Sequence, residues 1–192
     1  MKRYGYWLIA GLLCLGAVVA HAQEQKSEDY VQAVTAYLQQ KTGKAPQPQE
    51  IVNILSSFVS GTYQEGDYRT GVTAAEQAYQ FAEQKFGPAH PNTLTSVNNL
   101  ALLYQAQGRY GEAEPLHQRA LAGFEKGLGP MHPDVLLSVN NLAALYRAQG
   151  RYGEAEPLYQ RALAGFEKGL GPMHPDTLAS VNNLASLYQA QG

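Results

Sequence analysis

Thiols and net charge are almost missing from this chain of 192 residues, which has one Cys and a formal charge of −2. The single thiol, Cys14, lies in an apolar stretch near the N-terminus. If that stretch is removed, nothing remains to form a disulfide, a cysteine nucleophile or a thiolate metal site. There is no basic excess to suggest a nucleic-acid partner, and no acidic run to suggest disorder. The apolar stretch itself, residues 6–20, holds about 15 residues, short of the ~17–25 that cross a bilayer comfortably. Catalytic constellations are missing as well. No Ser/His/Asp set, carboxylate dyad, phosphate-binding glycine loop or HExxH helix can be found. No enzyme activity, cofactor or metal is therefore expected.

The N-terminal stretch has a character of its own. Lys2 and Arg3 precede residues 6–20, and Ala20-His21-Ala22 then places small residues where a signal peptidase reads. This order describes a secretory signal over residues 1–22 with cleavage after Ala22, and an uncleaved anchor is the alternative. The expectation is a periplasmic or secreted protein with no membrane contact once the signal is gone. Gly11-Leu12-Leu13 before Cys14 does not resemble a lipoprotein box.

What the chain does have is repetition. Residues 90–131 and 132–173 are the same 42-residue text except at Asn92/Asp134, Thr93/Val135, Thr95/Leu137, Leu102/Ala144, Gln105/Arg147 and His117/Tyr159. Residues 174–192 begin a third copy, and a decayed one precedes the others over 48–89: Gly66, Tyr68, Ala78, Gly87, Pro88 and then His90 lie one period ahead of Gly108, Tyr110, Ala120, Gly129, Pro130 and His132. A period of this length signals a solenoid of stacked supersecondary units.

Each unit reads as two helices. The first begins at the proline after each histidine (Pro91, Pro133, Pro175), because proline suits a first helical turn, and it runs to about Gln107 before Gly108. The second begins near Gly111 and ends near Leu128, before Gly129-Pro130, with Pro115 early enough not to break it. Leu94, Val97, Leu100, Ala101 and Tyr104 form the apolar stripe of the first helix, and Ala113, Leu116, Ala120, Leu121 and Phe124 that of the second. Close helix packing is the expected reason for Gly123 and Gly127. Ahead of the repeats, residues 23–47 read as a leader and an N-terminal capping helix, with Ser27 as N-cap and Tyr30, Val31, Val34, Tyr37 and Leu38 on one face. The fold class is all-α: an α-solenoid of stacked antiparallel helix pairs.

Leu100-Ala101, Tyr104, Gly108, Tyr110, Ala113 and Ala120 resemble the tetratricopeptide repeat. The run from His132-Pro133-Asp134 through Val139-Asn140-Asn141-Leu142-Ala143 to Gly150-Arg151-Tyr152-Gly153-Glu154-Ala155-Glu156-Pro157-Leu158 is similar to its 42-residue kinesin light chain subtype. The resemblance implies a right-handed superhelix whose first helices line a concave groove that holds a peptide or partner protein.

The copies themselves point to candidate contact residues. Thr95, Leu102 and Gln105, their counterparts Leu137, Ala144 and Arg147, and Ala179, Ser186 and Gln189 share a helical stripe away from the apolar one. Asn98, Asn140 and Asn182 form an unchanging column on that stripe, and an amide can both donate to and accept from a peptide backbone. The second asparagines, Asn99, Asn141 and Asn183, are expected to satisfy groups at the seam between helices. His90, His132 and His174 cannot share a metal ion. Ligands on one zinc lie within ~4 Å of each other, whereas equivalent residues are separated by more than a helix–helix spacing of ~8–10 Å. Ordering of the Pro-containing loops is their expected role. The solvated outer surface of the second helix is expected to hold His117 and Tyr159, and Arg119 and Arg161 are expected to pair locally. Because Gly192 aligns with Gly108 and Gly150, the last copy holds a first helix without its second. That arrangement suggests a fragment of a longer array, or an edge covered by another chain. The expected function is protein or peptide binding in the groove. The alternative is a structural array that self-associates through its terminal helix.

Overall fold

Glycine and proline punctuate the chain at regular intervals, and helices fill the spaces between them. The computed structural model describes residues 29–192. The signal reading over residues 1–22, with Cys14 and Ala22, lies outside these residues, as do Ser27 and Glu28. Eight helices and no strands occur among the described residues: α1 (Tyr30–Thr42), α2 (Pro48–Glu65), α3 (Tyr68–Phe86), α4 (Pro91–Ala106), α5 (Tyr110–Leu128), α6 (Pro133–Ala148), α7 (Tyr152–Leu170) and α8 (Pro175–Gln191). Their bounds fall within two residues of those read from the punctuation. Helix α1 starts later than expected. Its N-cap is Asp29, whose carboxylate accepts the Gln32 amide at 2.9 Å, so capping moves from Ser27 to the residue with the charged acceptor.

Two compact units make up the chain, divided between Leu103 and Tyr104 within α4. In the first, α1 packs on both α2 and α3. Val34, Ile51, Leu55 and Ala78 form the centre, and Tyr30, Val31, Tyr37, Leu38, Ile54 and Phe81 close around it. Tyr30 also lies against Phe58, with ring centroids 5.2 Å apart.

In the second unit α6 is gripped from two sides, by α5 of the preceding pair and by α7 of its own. This explains a core wider than one stripe. Val135, Leu136, Val139, Leu142, Ala143, Leu145 and Tyr146 are all buried. Leu103 and Leu187, like Leu145, are fully buried, although they stand outside the expected apolar stripe. In the first unit the reason is visible at Gly71 of α3: a Cβ there would come within 2.8 Å of the Leu103 side chain. One flank of a first helix therefore meets the second helix before it. The other flank meets its own second helix, as at Gly165 of α7, where a Cβ would fall 2.5 Å from Leu136 Cδ2. Close packing thus accounts for glycine at Gly165. It does not account for Gly127 or Gly169, which have open space around them.

Candidate functional site

The candidate stripe lies on the side of the first helices that the core leaves uncovered. Thr95, Leu137, Ala179, Asn182 and Gln189 are exposed, and Asn98, Leu102, Gln105, Asn140, Ala144, Arg147 and Ser186 are half-buried. None joins the buried core. Two clefts in the first unit run between α2 and α4. Thr95 and Asn92 line one with Val52, Asn53, Ser56 and Ser57, enclosing about 380 Å³. Leu102, Leu103 and Asn99 line the other with Val59, Ser60, Tyr63 and Gln64, enclosing about 180 Å³. No charged side chain lines either cleft. The second cleft joins an apolar floor (Val59, Leu102, Leu103) to amide and hydroxyl groups, a combination suited to a peptide: apolar side chains below, backbone groups at the rim.

The asparagine columns are linked to each other. Asn183 Nδ2 donates to Asn140 Oδ1 at 3.2 Å, so the second amide of one copy supports the first amide of the copy before it. That bond holds the Asn140 plane in one orientation and engages its carbonyl. Asn99 instead lines the smaller cleft, so the two asparagines of a pair do not divide neatly into one for ligand and one for structure.

The copy-to-copy differences have more than one cause. His117 and Tyr159 do not face solvent on the second helix; each is fully buried. His117 Nε2 lies 3.3 Å from Gln105 Oε1, in hydrogen-bond contact. Burial depresses the imidazole to about 4, which keeps it neutral at physiological pH. In the next copy Gln105 becomes Arg147 and His117 becomes Tyr159. Burial raises the Tyr159 phenol, an effect partly offset by the charge of Arg147. The Tyr159 hydroxyl has no hydrogen-bond partner among the described residues. Gln105 with His117 and Arg147 with Tyr159 are therefore matched substitutions across one helix–helix contact. Thr93 and Val135 are also buried, and Thr93 Oγ1 donates to Gly87 O at 2.8 Å. Packing explains these changes without a ligand. Asn92/Asp134, Thr95/Leu137 and Leu102/Ala144 remain as the pairs outside the buried core.

Arginines join neighbouring second helices. Arg151 lies over the Tyr146 ring with its guanidinium carbon 4.0 Å from the centroid. It donates at 2.7 Å both to Glu114 of the preceding copy and to Glu154 of its own. Hydrogen bonding from Arg151 holds the Glu154 carboxyl below the usual range. Arg161 donates to Glu125 at 2.6 Å, a partner 36 residues away and not a local one. The histidines cap helices: the Nδ1 of His90, His132 and His174 accepts the backbone amides of Asn92, Asp134 and Asp176 at 3.2, 3.2 and 3.3 Å. Among the described residues no cluster of three or more metal-ligating side chains occurs.

The sequence matches the tetratricopeptide repeat family over residues 51–126 and 134–192. No curated protein matches the chain. Solved structures do resemble it. BtubC (BKLC) from P. vanneervenii superposes with a TM-score of 0.69 at 24% identity, over 89% of this chain and 69% of that one, a likeness of fold. Two structures of a kinesin light chain from Podosopora anserina with nearly identical tetratricopeptide-like repeats, one of them a point variant, superpose with TM-scores of 0.64 and, for the variant, 0.65. Identities are 29% and 27% respectively, and each match covers 100% of this chain and 90% of that one.

Proposed function

The chain belongs to the tetratricopeptide repeat family, whose members generally act as scaffolds for protein–protein contact, and we propose that it is a non-catalytic module binding a peptide or partner protein along its first helices. One observation carries this reading. Thr95 and Leu102, singled out because they vary between otherwise identical copies, each line a cleft beside an uncovered helix face. The proposed face comprises Thr95, Asn98, Leu102 and Gln105, then Leu137, Asn140, Ala144 and Arg147, then Ala179, Asn182, Ser186 and Gln189. Arg147 is its one charge, so the ligand is a largely uncharged extended segment, held through its backbone by the asparagine amides. The repeat limits at 48, 90, 132 and 174, and a capping role for α1, belong to the same reading. They are supported by the 42-residue register and by α1 covering α2 and α3. Export is a further part of the proposal and rests on the charge and apolar pattern of residues 1–22 alone.

The test is capture of partners from the exported fraction by the intact chain and by Asn98→Ala/Asn140→Ala/Asn182→Ala. Loss of the captured partner with an unchanged melting temperature supports the groove. Equal capture by both proteins overturns it. A second reading, self-association through α8, draws on the exposure of Leu178, Val181 and Tyr188 at 43, 42 and 44%. Under that reading, polar substitution of Leu184 and Tyr188 abolishes assembly while the asparagine variant assembles normally.

A further inference from the structure

The 42-residue register carries the candidate face back into the decayed repeat. One period before Thr95, Asn98, Leu102 and Gln105 stand Asn53, Ser56, Ser60 and Tyr63 of α2. All four are cleft residues. Asn53 and Ser56 line the larger cleft, and Ser60 and Tyr63 the smaller one.

Asn99 differs from its counterparts in what it bonds. Asn183 Nδ2 donates to Asn140 Oδ1, 43 residues back. The same step back from Asn99 reaches Ser56, whose hydroxyl ends one bond nearer the backbone than an asparagine oxygen does. Asn98 and Asn141 have interaction partners too, whereas the Asn99 side chain has none among the described residues. Its donors and its acceptor are therefore free for a ligand in the smaller cleft, which it lines.

The rest of that cleft suits an apolar group. Val59 and Leu103 are buried, and Leu102 is half-buried beside them. Tyr63 is 43% exposed, and its ring lies 5.8 Å from that of Tyr68, centroid to centroid, so a neighbour steadies it as part of the wall. Ser60 and Gln64 add neutral polar groups. The enclosed space of about 180 Å³ exceeds the ~150 Å³ that holds a benzene ring in an apolar cavity, so one side chain of leucine to phenylalanine size fits. A carboxylate or ammonium there would lose water and meet no opposite charge.

We propose that the smaller cleft between α2 and α4 is a specificity pocket, which takes one leucine- to phenylalanine-sized side chain of an extended ligand while Asn99 hydrogen-bonds the ligand backbone beside it. The proposal rests on the reading of the first helices as the ligand face. It adds Ser60, Tyr63 and Asn99 as contact residues and names the class of side chain they select.

The probe is N-acetyl-leucine N-methylamide, which carries one side chain between two peptide groups. It is titrated into the isotopically labelled intact chain and followed by nuclear magnetic resonance. Saturable shifts are expected at the Asn99 side-chain amide and at the backbone amides of Ser60, Tyr63, Leu102 and Leu103. The glycine and aspartate analogues should shift none of them. Asn99→Ala should weaken binding about fivefold, the loss of one neutral hydrogen bond. Ser60→Phe, at an exposed position, should abolish it by filling the cleft. Thermal melts establish that each variant is folded, and Tyr63→Ala replaces either one that is not. No saturable shift at the solubility limit, equal binding of the glycine or aspartate compound, or indifference to both substitutions overturns the proposal. Binding of the leucine compound, together with partner capture that survives the triple asparagine substitution, keeps the pocket and rejects the asparagine column. The opposite pair of results keeps the column and rejects the pocket.

Discussion

His117 and Gln105 touch across a helix pair, ring nitrogen to amide oxygen at 3.3 Å, at the positions where the next copy places Tyr159 and Arg147. A neutral, buried imidazole in one copy and a phenol in the next make the repeats unequal in their response to acid.

Stability should therefore depend on pH through His117. Its folded value is about 4 against an ordinary 6.5, so between those limits the unfolded chain binds a proton that the folded chain does not. Stability from this group is complete above about 6.5, falls as the pH drops through the window, and falls no further below about 4. At 1.36 kcal/mol per pH unit the whole loss is roughly 3 kcal/mol. Urea melts at pH 7.0 and 4.5 measure it. The double variant His117→Tyr/Gln105→Arg, which copies the next repeat, should remove most of the difference.

Glycines of the second helices should respond to substitution with opposite signs. Gly165→Ala puts a Cβ 2.5 Å from Leu136 Cδ2 and should destabilise by about 1–3 kcal/mol through overpacking. Gly169→Ala meets nothing within 4 Å and should stabilise by up to about 1 kcal/mol through helix propensity. Thermal melts of the two single variants decide this, and equal shifts would contradict the packing account.

Arg151 stacks on Tyr146 and bridges two copies, so Arg151→Lys keeps the charge but loses the flat contact and the forked pairing. Both Arg151→Lys and Arg151→Ala should lower the melting temperature, the alanine variant more. The gap between them should narrow in high salt, where the charge counts for less.

Val34 is fully buried at the centre where α1 meets α2 and α3. Val34→Ala should destabilise by roughly 1–3 kcal/mol, and amide exchange should rise across α1 and along α2 near Ile51 and Leu55. If exchange changed in α1 alone, the helix would be an attachment and not part of the first unit's core.

Much of this molecule could be read before any coordinates. The glycine and proline spacing marked out the helix bounds, and the stripes through Leu94, Val97 and Tyr104 identified core residues. Reading failed where a side chain's surroundings depend on a helix distant in the chain. A single stripe assumes one buried face, but each first helix has two, so Leu103, Leu145 and Leu187 were missed. His117 and Tyr159 were assigned to solvent because they vary, although it is matched change across a contact that makes them vary. Arg161 was expected to pair nearby and reaches 36 residues back to Glu125.

The 42-residue repetition and its punctuation were enough to determine helix number, helix length and repeat family, because backbone preferences of proline, glycine and capping residues act over one or two turns. Tertiary structure alone decided what surrounds the residues outside the expected stripe. His117 and Tyr159 differ between nearly identical copies, yet both are fully buried. Burial depends on whether a neighbouring helix stands against that face, and no local pattern carries that information.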